Sequence, residues 1–408
     1  MSRMEHNGER PGARAGQNRQ VRNMGGRPSG AKTRRPVARK QGYFDYSLLF
    51  IVIFLCCFGL VMLYSTTAYT DMIAHKGDMF YTVKKQAVFM LLAFGVMLLV
   101  SRIDYHFWIM LAKYGYIISL VLSVAVIFVG KSAKGKARWF ELGPISFQPA
   151  ELVKIALIVA LAAFLNKMYP YLKTVRVLLV TAFLVILLAI PVTVNNLSSG
   201  IIIMGIGFLM AFVASKQRWL FAAVIVVGLG AVVLAYQTGL LEHFLHGYQM
   251  DRINAWLNPT NYEKDEGYQI LQGLYAIGSG GLFGRGLGQS VQKLGFLPEA
   301  QNDMIFGIIC EELGLFGAVL VIALFVMMIW RFMFIANNAP DFTGSMLATG
   351  VMAHMAIQVL LNIAVVTNTM PNTGVTLPFI SYGGTSLMFL MVEIGLVLNV
   401  SNQIQAKS

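Results

Sequence analysis

FLPEAQNDMIFGIICEELGLFG, Phe296 to Gly317, sets four carboxylates (Glu299, Asp303, Glu311 and Glu312) at the start of an otherwise apolar segment. From Met304 the apolar run continues to Ile335. A helix needs only about 20 such residues to cross the hydrocarbon of a bilayer, so this run reads as a membrane span with acids at its mouth and upper turns. Nine further runs of spanning length lie at about 46–66, 85–101, 106–129, 148–166, 175–195, 198–215, 218–237, 344–366 and 377–400. The expected fold is an all-α polytopic membrane protein of about ten transmembrane helices. Composition agrees: of 408 residues 57% are hydrophobic and 12% charged, with a mean hydropathy of +0.65, a balance that excludes a water-soluble globular domain.

An even number of spans returns both ends of the membrane domain, residues 45–402, to one side. Residues 1–44 carry eleven Lys or Arg against Glu5 and Glu9, which is +9 of the net charge of +13. By the positive-inside rule that side is cytoplasmic. The tail is rich in Gly, Pro, Arg, Asn and Gln and has no apolar periodicity, so it is expected to be disordered. Its charge reads as a topology signal with attraction to anionic lipid, or as a docking tail for a cytoplasmic partner, rather than as a nucleic-acid site. No cleavable signal peptide is expected, because the first apolar run is long enough to span. Arg102, Lys167, Lys173, Arg176, Lys216, Arg218 and Arg331 fall on inner connections, as the rule expects.

The outer connections break it. KSAKGKARWFELGPISF carries Lys131, Lys134, Lys136 and Arg138, and the large loop at about 238–303 adds Arg252, Lys264, Arg285 and Lys293. Positive charge on that side points to an anionic ligand, the plain alternative being that long loops translocate regardless of charge. Within the large loop, IGSGGLFGRGLGQS, Ile277 to Ser290, has six glycines and reads as a turn-rich or re-entrant element. It lacks the patterns of a dinucleotide fold or a P-loop. Its backbone N–H groups and Arg285 could instead cradle a lipid-linked pyrophosphate, or the stretch could be a flexible loop.

Two other features bear on chemistry. In QPAELVKIAL, Gln148 precedes a helix-starting proline, and Glu151 and Lys154 sit three residues apart on one face about a turn into the membrane. Ionised side chains at that depth face the bundle interior and are functional candidates, or else a structural pair. Asp303 lies where the large loop enters the membrane. It is either an N-cap for the following helix or a general base whose pKa partial desolvation pushes up toward the working range. On a continuous helix Asp303, Gly307, Cys310, Gly314 and Gly317 fall on one line, a packing seam or a lipid-chain groove.

Other residues offer less. Cys56, Cys57 and Cys310 read as small core residues without metal-ligand spacing. His243 and His246 lack further ligands, so no metal site is expected. Trp139 and Trp256 suit membrane-interface anchors, and the residues alone give Glu393 no role.

Three segments resemble the SEDS family (shape, elongation, division and sporulation), the FtsW/RodA/SpoVE group of membrane proteins. They are ARWFELGPISFQPAELVKIAL (Ala137 to Leu157), GYQILQGLYAIGSGGLFGRGLGQSVQKLGFLPEAQNDMIFGIICEELGLFG (Gly267 to Gly317) and TGVTLPFISYGGTS (Thr373 to Ser386). The similarity runs through nearly everything from Tyr46 onward, and the wording of the large loop is closest to the division and sporulation branches. It implies a peptidoglycan glycosyltransferase that polymerises lipid II at the outer face of the cytoplasmic membrane, for septal division or sporulation. It also implies a class B penicillin-binding protein transpeptidase and other divisome proteins as partners. Asp303 matches the family's proposed catalytic residue, and Glu151 and Lys154 match its cavity residues. The chain departs from the family at Asn302 and Met304, where Thr and Phe are usual, and at Asn372, where an apolar residue or Thr is common.

For such chemistry Asp303 is the expected base. Arg138, Lys154 and Arg285, with Lys134 or Lys136, are the expected phosphate clamp, Glu151 orients Lys154, and Trp139 and Gln148 complete the substrate-binding set. A divalent cation, Mg or Mn, at the pyrophosphate would suit the reaction, but the sequence offers no dedicated ligand cluster for it. The rival reading is a lipid II flippase, which requires polar residues along the full depth of a path. A third is a catalytically idle scaffold for other wall enzymes.

Overall fold

The computed structural model describes residues 43–133, 136–142, 145–239, 247–262 and 266–405. The basic tail, Lys134, His243, His246 and Lys264 lie outside these residues. Among the described residues, ten helices are long and apolar enough to cross a membrane. They are α1 (Tyr46–Ala74), α2 (Tyr81–Arg102), α4 (Ala112–Val129), α5 (Pro149–Lys167), α6 (Val175–Asn195), α7 (Leu197–Ala214), α8 (Arg218–Gln237), α11 (Ile305–Asn338), α12 (Phe342–Val366) and α13 (Gly384–Asn402). Between them lie α3 (Tyr105–Met110) and, in the large loop, α9 (Gly247–Leu257) and α10 (Glu266–Gly280).

Helix ends follow local chemistry. Asp45 caps α1 by accepting from the Leu48 N–H at 2.9 Å, and Asp341 caps α12 through the Gly344 N–H at 2.7 Å. The run expected at 106–129 is two helices, α3 and α4, divided at Leu111. The run expected at 377–400 helixes only from Gly384, because residues 377–383 form a loop in which Phe379 takes a left-handed φ of 65°. Apolar content alone could not separate these cases. Cys57 is exposed rather than in the core, whereas Cys56 and Cys310 are buried.

The start of α1 and the end of α13 share one end of the bundle. Tyr43 N–H donates to the Ile404 carbonyl at 3.1 Å, Asp45 N–H donates to Ser401 Oγ at 3.2 Å, and Arg331 of α11 pairs with the buried Asp45 carboxylate at 2.6 Å. The starts of α2, α5, α11 and α13 and the α6–α7 joint therefore lie at the opposite end. There the segment after α4 folds into three antiparallel strands, β1 (Lys131–Ala133), β2 (Lys136–Leu142) and β3 (Ile145–Phe147), with Phe140 opposite Phe147. These strands are too short to show in apolar periodicity.

The core centres on α12, which packs against α5, α7, α11 and α13. Midway along it, His354 Nδ1 lies 2.7 Å from Glu393 Oε2 of α13, with both side chains 1% exposed. This gives Glu393 the partner that the residues alone could not identify. The pair ties two helices at mid-depth, where an ionisable group without a partner is costly.

Helix α11 is not continuous. Gly314 takes φ 67° and ψ −165°, a conformation open to glycine and not to side-chain-bearing residues. Around it four backbone groups exchange partners. The carbonyls of Glu311 and Glu312 accept from the N–H groups of Arg285 and Gly286, each at 2.9 Å, while Leu315 and Phe316 N–H donate to the carbonyls of Gly281 at 2.9 Å and Leu282 at 3.3 Å. The glycine-rich stretch thus supplies the bonds that the break removes from the helix, which satisfies backbone that lipid could not. A Cβ on Gly284 would meet the Glu312 carbonyl oxygen at 2.1 Å, so the contact requires bare backbone. The expected line of small residues below Asp303 is accordingly a packing seam, interrupted at Gly314.

Candidate active site

Glu311 and Glu312 answer half of the question posed by the opening stretch. Both are fully buried, and both hold the glycine-rich turn in place. Glu311 accepts from Ser290 Oγ at 2.5 Å and from the Val291 N–H at 3.0 Å. Glu312 accepts from Ser65 Oγ at 2.6 Å, the Gly288 N–H at 3.0 Å and the Lys293 ammonium at 2.8 Å. Carboxylates so fully supplied with donors from their own chain anchor structure.

Asp303 differs. It precedes α11 by two residues, and the N-cap position belongs to Met304, which makes no side-chain cap bond. Its backbone is fixed from α12, because Asn362 Nδ2 donates both to the Asp303 carbonyl at 2.8 Å and to the Val375 carbonyl at 2.7 Å. Loop 377–383 buttresses it: Ser381 Oγ donates to the Asn302 carbonyl at 2.6 Å and Tyr382 N–H to the Gln301 carbonyl at 2.9 Å. The residue, only 7% exposed, lines a cavity of about 450 Å³ at the end of the bundle away from Asp45. Gln269 Nε2 lies 3.5 Å from its Oδ1.

The same cavity is lined by Arg138, Trp139, Gln148, Glu151 and Lys154. Residues more than 140 apart in sequence thus meet Asp303 in one hollow. Lys154 is 2.9 Å from Glu151, with the side chains 2% and 12% exposed. Pro149 starts α5 and puts this pair in its first two turns, facing inward. Arg138 comes from β2 and donates through Nε to the Asn195 carbonyl at 2.8 Å at the α6–α7 joint. Lys136 lies on the same strand.

Arg285 is placed elsewhere. It does not line the cavity; it lies beside the α11 break, Nη1 3.6 Å from Glu311, with 42% of its side chain exposed. Instead the cavity gains Lys85 of α2 and Arg252 of α9, together with Gln269, Asn372 and Gln358. Arg252 could have been found from its charge on the outer side. Lys85, at the start of a long apolar run, gave no signal beyond that position. Among the described residues no three His, Cys, Asp or Glu side chains gather as a metal site. Among the described residues, Lys85, Arg138, Lys154 and Arg252 bring positive charge to the cavity.

Chemically, the hollow combines the carboxylate of Asp303 with several cations under a partly enclosed, polar rim that also carries Glu299 and the Lys154-paired Glu151. That suits proton abstraction beside a departing anionic group.

Comparison with known proteins gives concordant results. Residues 46–406 match the family model FtsW/RodA/SpoVE, described as cell cycle protein. The chain is 38% identical to stage V sporulation protein E of Bacillus subtilis (strain 168) over 363 residues, covering 88% of this chain and 96% of that protein. It is 35% identical to a protein named probable peptidoglycan glycosyltransferase FtsW of Geobacter sp. (strain M18), covering 90% and 99%. Among solved structures it is similar to a chain from a peptidoglycan synthase complex studied for its coordination of polymerization and crosslinking. There the TM-score is 0.72 at 26% identity, over 88% of this chain and 97% of that one. It is also similar to the rod shape determining protein RodA of Thermus thermophilus, with a TM-score of 0.65 at 25% identity, over 89% and 98%.

Proposed function

The chain belongs to the FtsW/RodA/SpoVE family of cell cycle proteins, and from that premise we propose that it is a peptidoglycan glycosyltransferase that polymerises lipid II. The reaction takes place at the outer face of the cytoplasmic membrane. The observation that carries the reading is the shared cavity: Asp303 and the cations Lys85, Arg138, Lys154 and Arg252 line one hollow.

Polymerisation joins two lipid-linked disaccharides. The 4-hydroxyl of one attacks the anomeric carbon of the other, the new glycosidic C–O bond forms, and the bond to undecaprenyl pyrophosphate breaks. Asp303 takes the hydroxyl proton, and the cations hold the charge that gathers on the departing pyrophosphate. Glu151 keeps the Lys154 ammonium in place, and two further N–H donors of that ammonium stay available for phosphate oxygens. A single displacement inverts the anomeric centre, from the α-linked donor to a β-linked strand.

Membrane sidedness supports the same reading. The cavity opens at the end away from Asp45, Arg331 and the basic inner connections. The flippase alternative has less support, because Asp303 and the cations of the described residues gather in one cavity at one end of the bundle. A role in septal division, with sporulation as the alternative, is supported by the likeness to both kinds of relative. A class B penicillin-binding protein transpeptidase and other divisome proteins are the proposed partners.

The test is polymerisation of lipid II by the purified chain with its transpeptidase partner. Native protein should extend glycan strands, and Asp303→Asn, folded to the same melting temperature, should not. Strands made by folded Asp303→Asn at the native rate would remove Asp303 from the reaction.

A further inference from the structure

An amide pair stands beside Asp303. Gln269 comes from α10 and Asn372 from the loop between α12 and α13. Asn372 Nδ2 donates to Gln269 Oε1 at 2.8 Å. With its oxygen engaged, Gln269 turns Nε2 toward the acid, 3.5 Å from Asp303 Oδ1 and 3.4 Å from the Pro298 carbonyl. Asn372 is held in turn: its Oδ1 accepts from the Gly374 N–H at 3.1 Å, and its carbonyl accepts from Arg252 Nη1 at 3.0 Å.

Each amide has one orientation that satisfies this chain. Reversing Gln269 would set its oxygen against a carboxylate oxygen and its NH2 against that of Asn372. Reversing Asn372 would set its NH2 against the Gly374 N–H. The order of donors is therefore fixed from Gly374 through Asn372 and Gln269 to Asp303. At 3.5 Å the last contact is long, as hydrogen bonds to catalytic groups often are before substrate closes the site.

We infer that Gln269 is a positioning residue for the Asp303 carboxylate and that Asn372 sets the direction of its amide. The inference deepens the base assignment proposed above and rests on it. Asn362 fixes the Asp303 backbone, and the Gln269 N–H donor at Oδ1 opposes rotation of the carboxylate. The donor also favours the ionised form, the one a base needs. Gly374 lies beside the other oxygen: its φ is +67°, and a Cβ there would make an ordinary contact 3.7 Å from Asp303 Oδ2. Asn372→Thr removes the amide that engages the Gln269 oxygen.

The experiment measures lipid II polymerisation by the full chain with its partner for Gln269→Ala, Asn372→Thr, the double variant and Asp303→Asn, each checked by melting temperature. Gln269→Ala is expected to lower kcat about 10- to 100-fold with KM within about 3-fold. It should also move the acid limb of the pH–rate profile to higher pH. Asn372→Thr should cost about 3- to 10-fold, and the double variant should be no slower than Gln269→Ala within about 2-fold, because Asn372 acts through Gln269. Losses that multiply, or an acid limb that stays in place, would make the pair merely structural and overturn the inference. If Gln269→Ala fails to fold, Asn372→Thr decides the matter: native kcat and an unmoved acid limb overturn the inference, a slower kcat with a shifted limb upholds it. An inactive Asp303→Asn beside a fully active Gln269→Ala defeats the relay alone, whereas an active Asp303→Asn defeats the base assignment and the relay with it.

Discussion

Glu311 and Glu312 lie within ten residues of Asp303 on the same stretch of chain, and all three side chains are buried, yet their surroundings are opposite. The two glutamates are enclosed by hydroxyl, amide and ammonium donors of the glycine-rich turn and α1, and they lock that turn onto a broken helix. Asp303 instead borders a cavity shared, among the described residues, with four cations. Burial therefore does not distinguish an anchoring acid from a working one. What separates them is whether the surrounding donors belong wholly to the chain's own packing or leave room for a substrate.

This contrast can be tested by substitution. The largest effect belongs to Asp303→Asn, expected to lower polymerisation by at least about 1,000-fold while leaving the melting temperature within about 2 °C. Glu312→Ala should behave in the reverse manner. It leaves the Lys293 ammonium buried without its counter-charge, at a cost of about 3–5 kcal/mol in stability, read from thermal unfolding with faster amide exchange in residues 281–293. A Glu312→Ala protein as stable as native would erase the distinction. The two arginines sharpen it further. Arg138→Ala should lose about 10- to 100-fold in polymerisation rate, and Arg285→Ala should stay within about 2-fold, because its pair with Glu311 is partly exposed and outside the cavity. The smallest change is Ser290→Ala, which removes one donor from Glu311 and should cost about 1–2 kcal/mol in the same unfolding assay.

Much of this is legible in the sequence itself. All ten spans could be placed because a bilayer imposes length and apolarity on each helix independently of its neighbours. Asp303, Arg138 and the Glu151/Lys154 pair stood out because charge at membrane depth or on the outer side runs against strong rules. What stayed hidden depends on distant partners. Glu393 reads as an isolated acid until His354 is brought to it from another helix. Gln269 and Asn372 are ordinary amides until folding joins them across 103 positions. The helical line through Gly314 and Gly317 assumed unbroken turns, and only the backbone exchange with the glycine-rich stretch shows why the turns stop. Arg285 was drawn toward the clamp by its charge and by the glycines around it. Those glycines serve close backbone packing against α11 instead.

The exchange at Gly314 has a mechanical corollary. Backbone bonding is what makes a helix stiff, and at this point the bonds run sideways into the loop rather than down the axis. The outer nine residues of α11 are thus stitched to the loop and hinged to the remainder of the helix. When the bundle breathes, that short segment should move with the loop, and with the α12 and 377–383 contacts that hold the acid at its head, more than with the long inner rod.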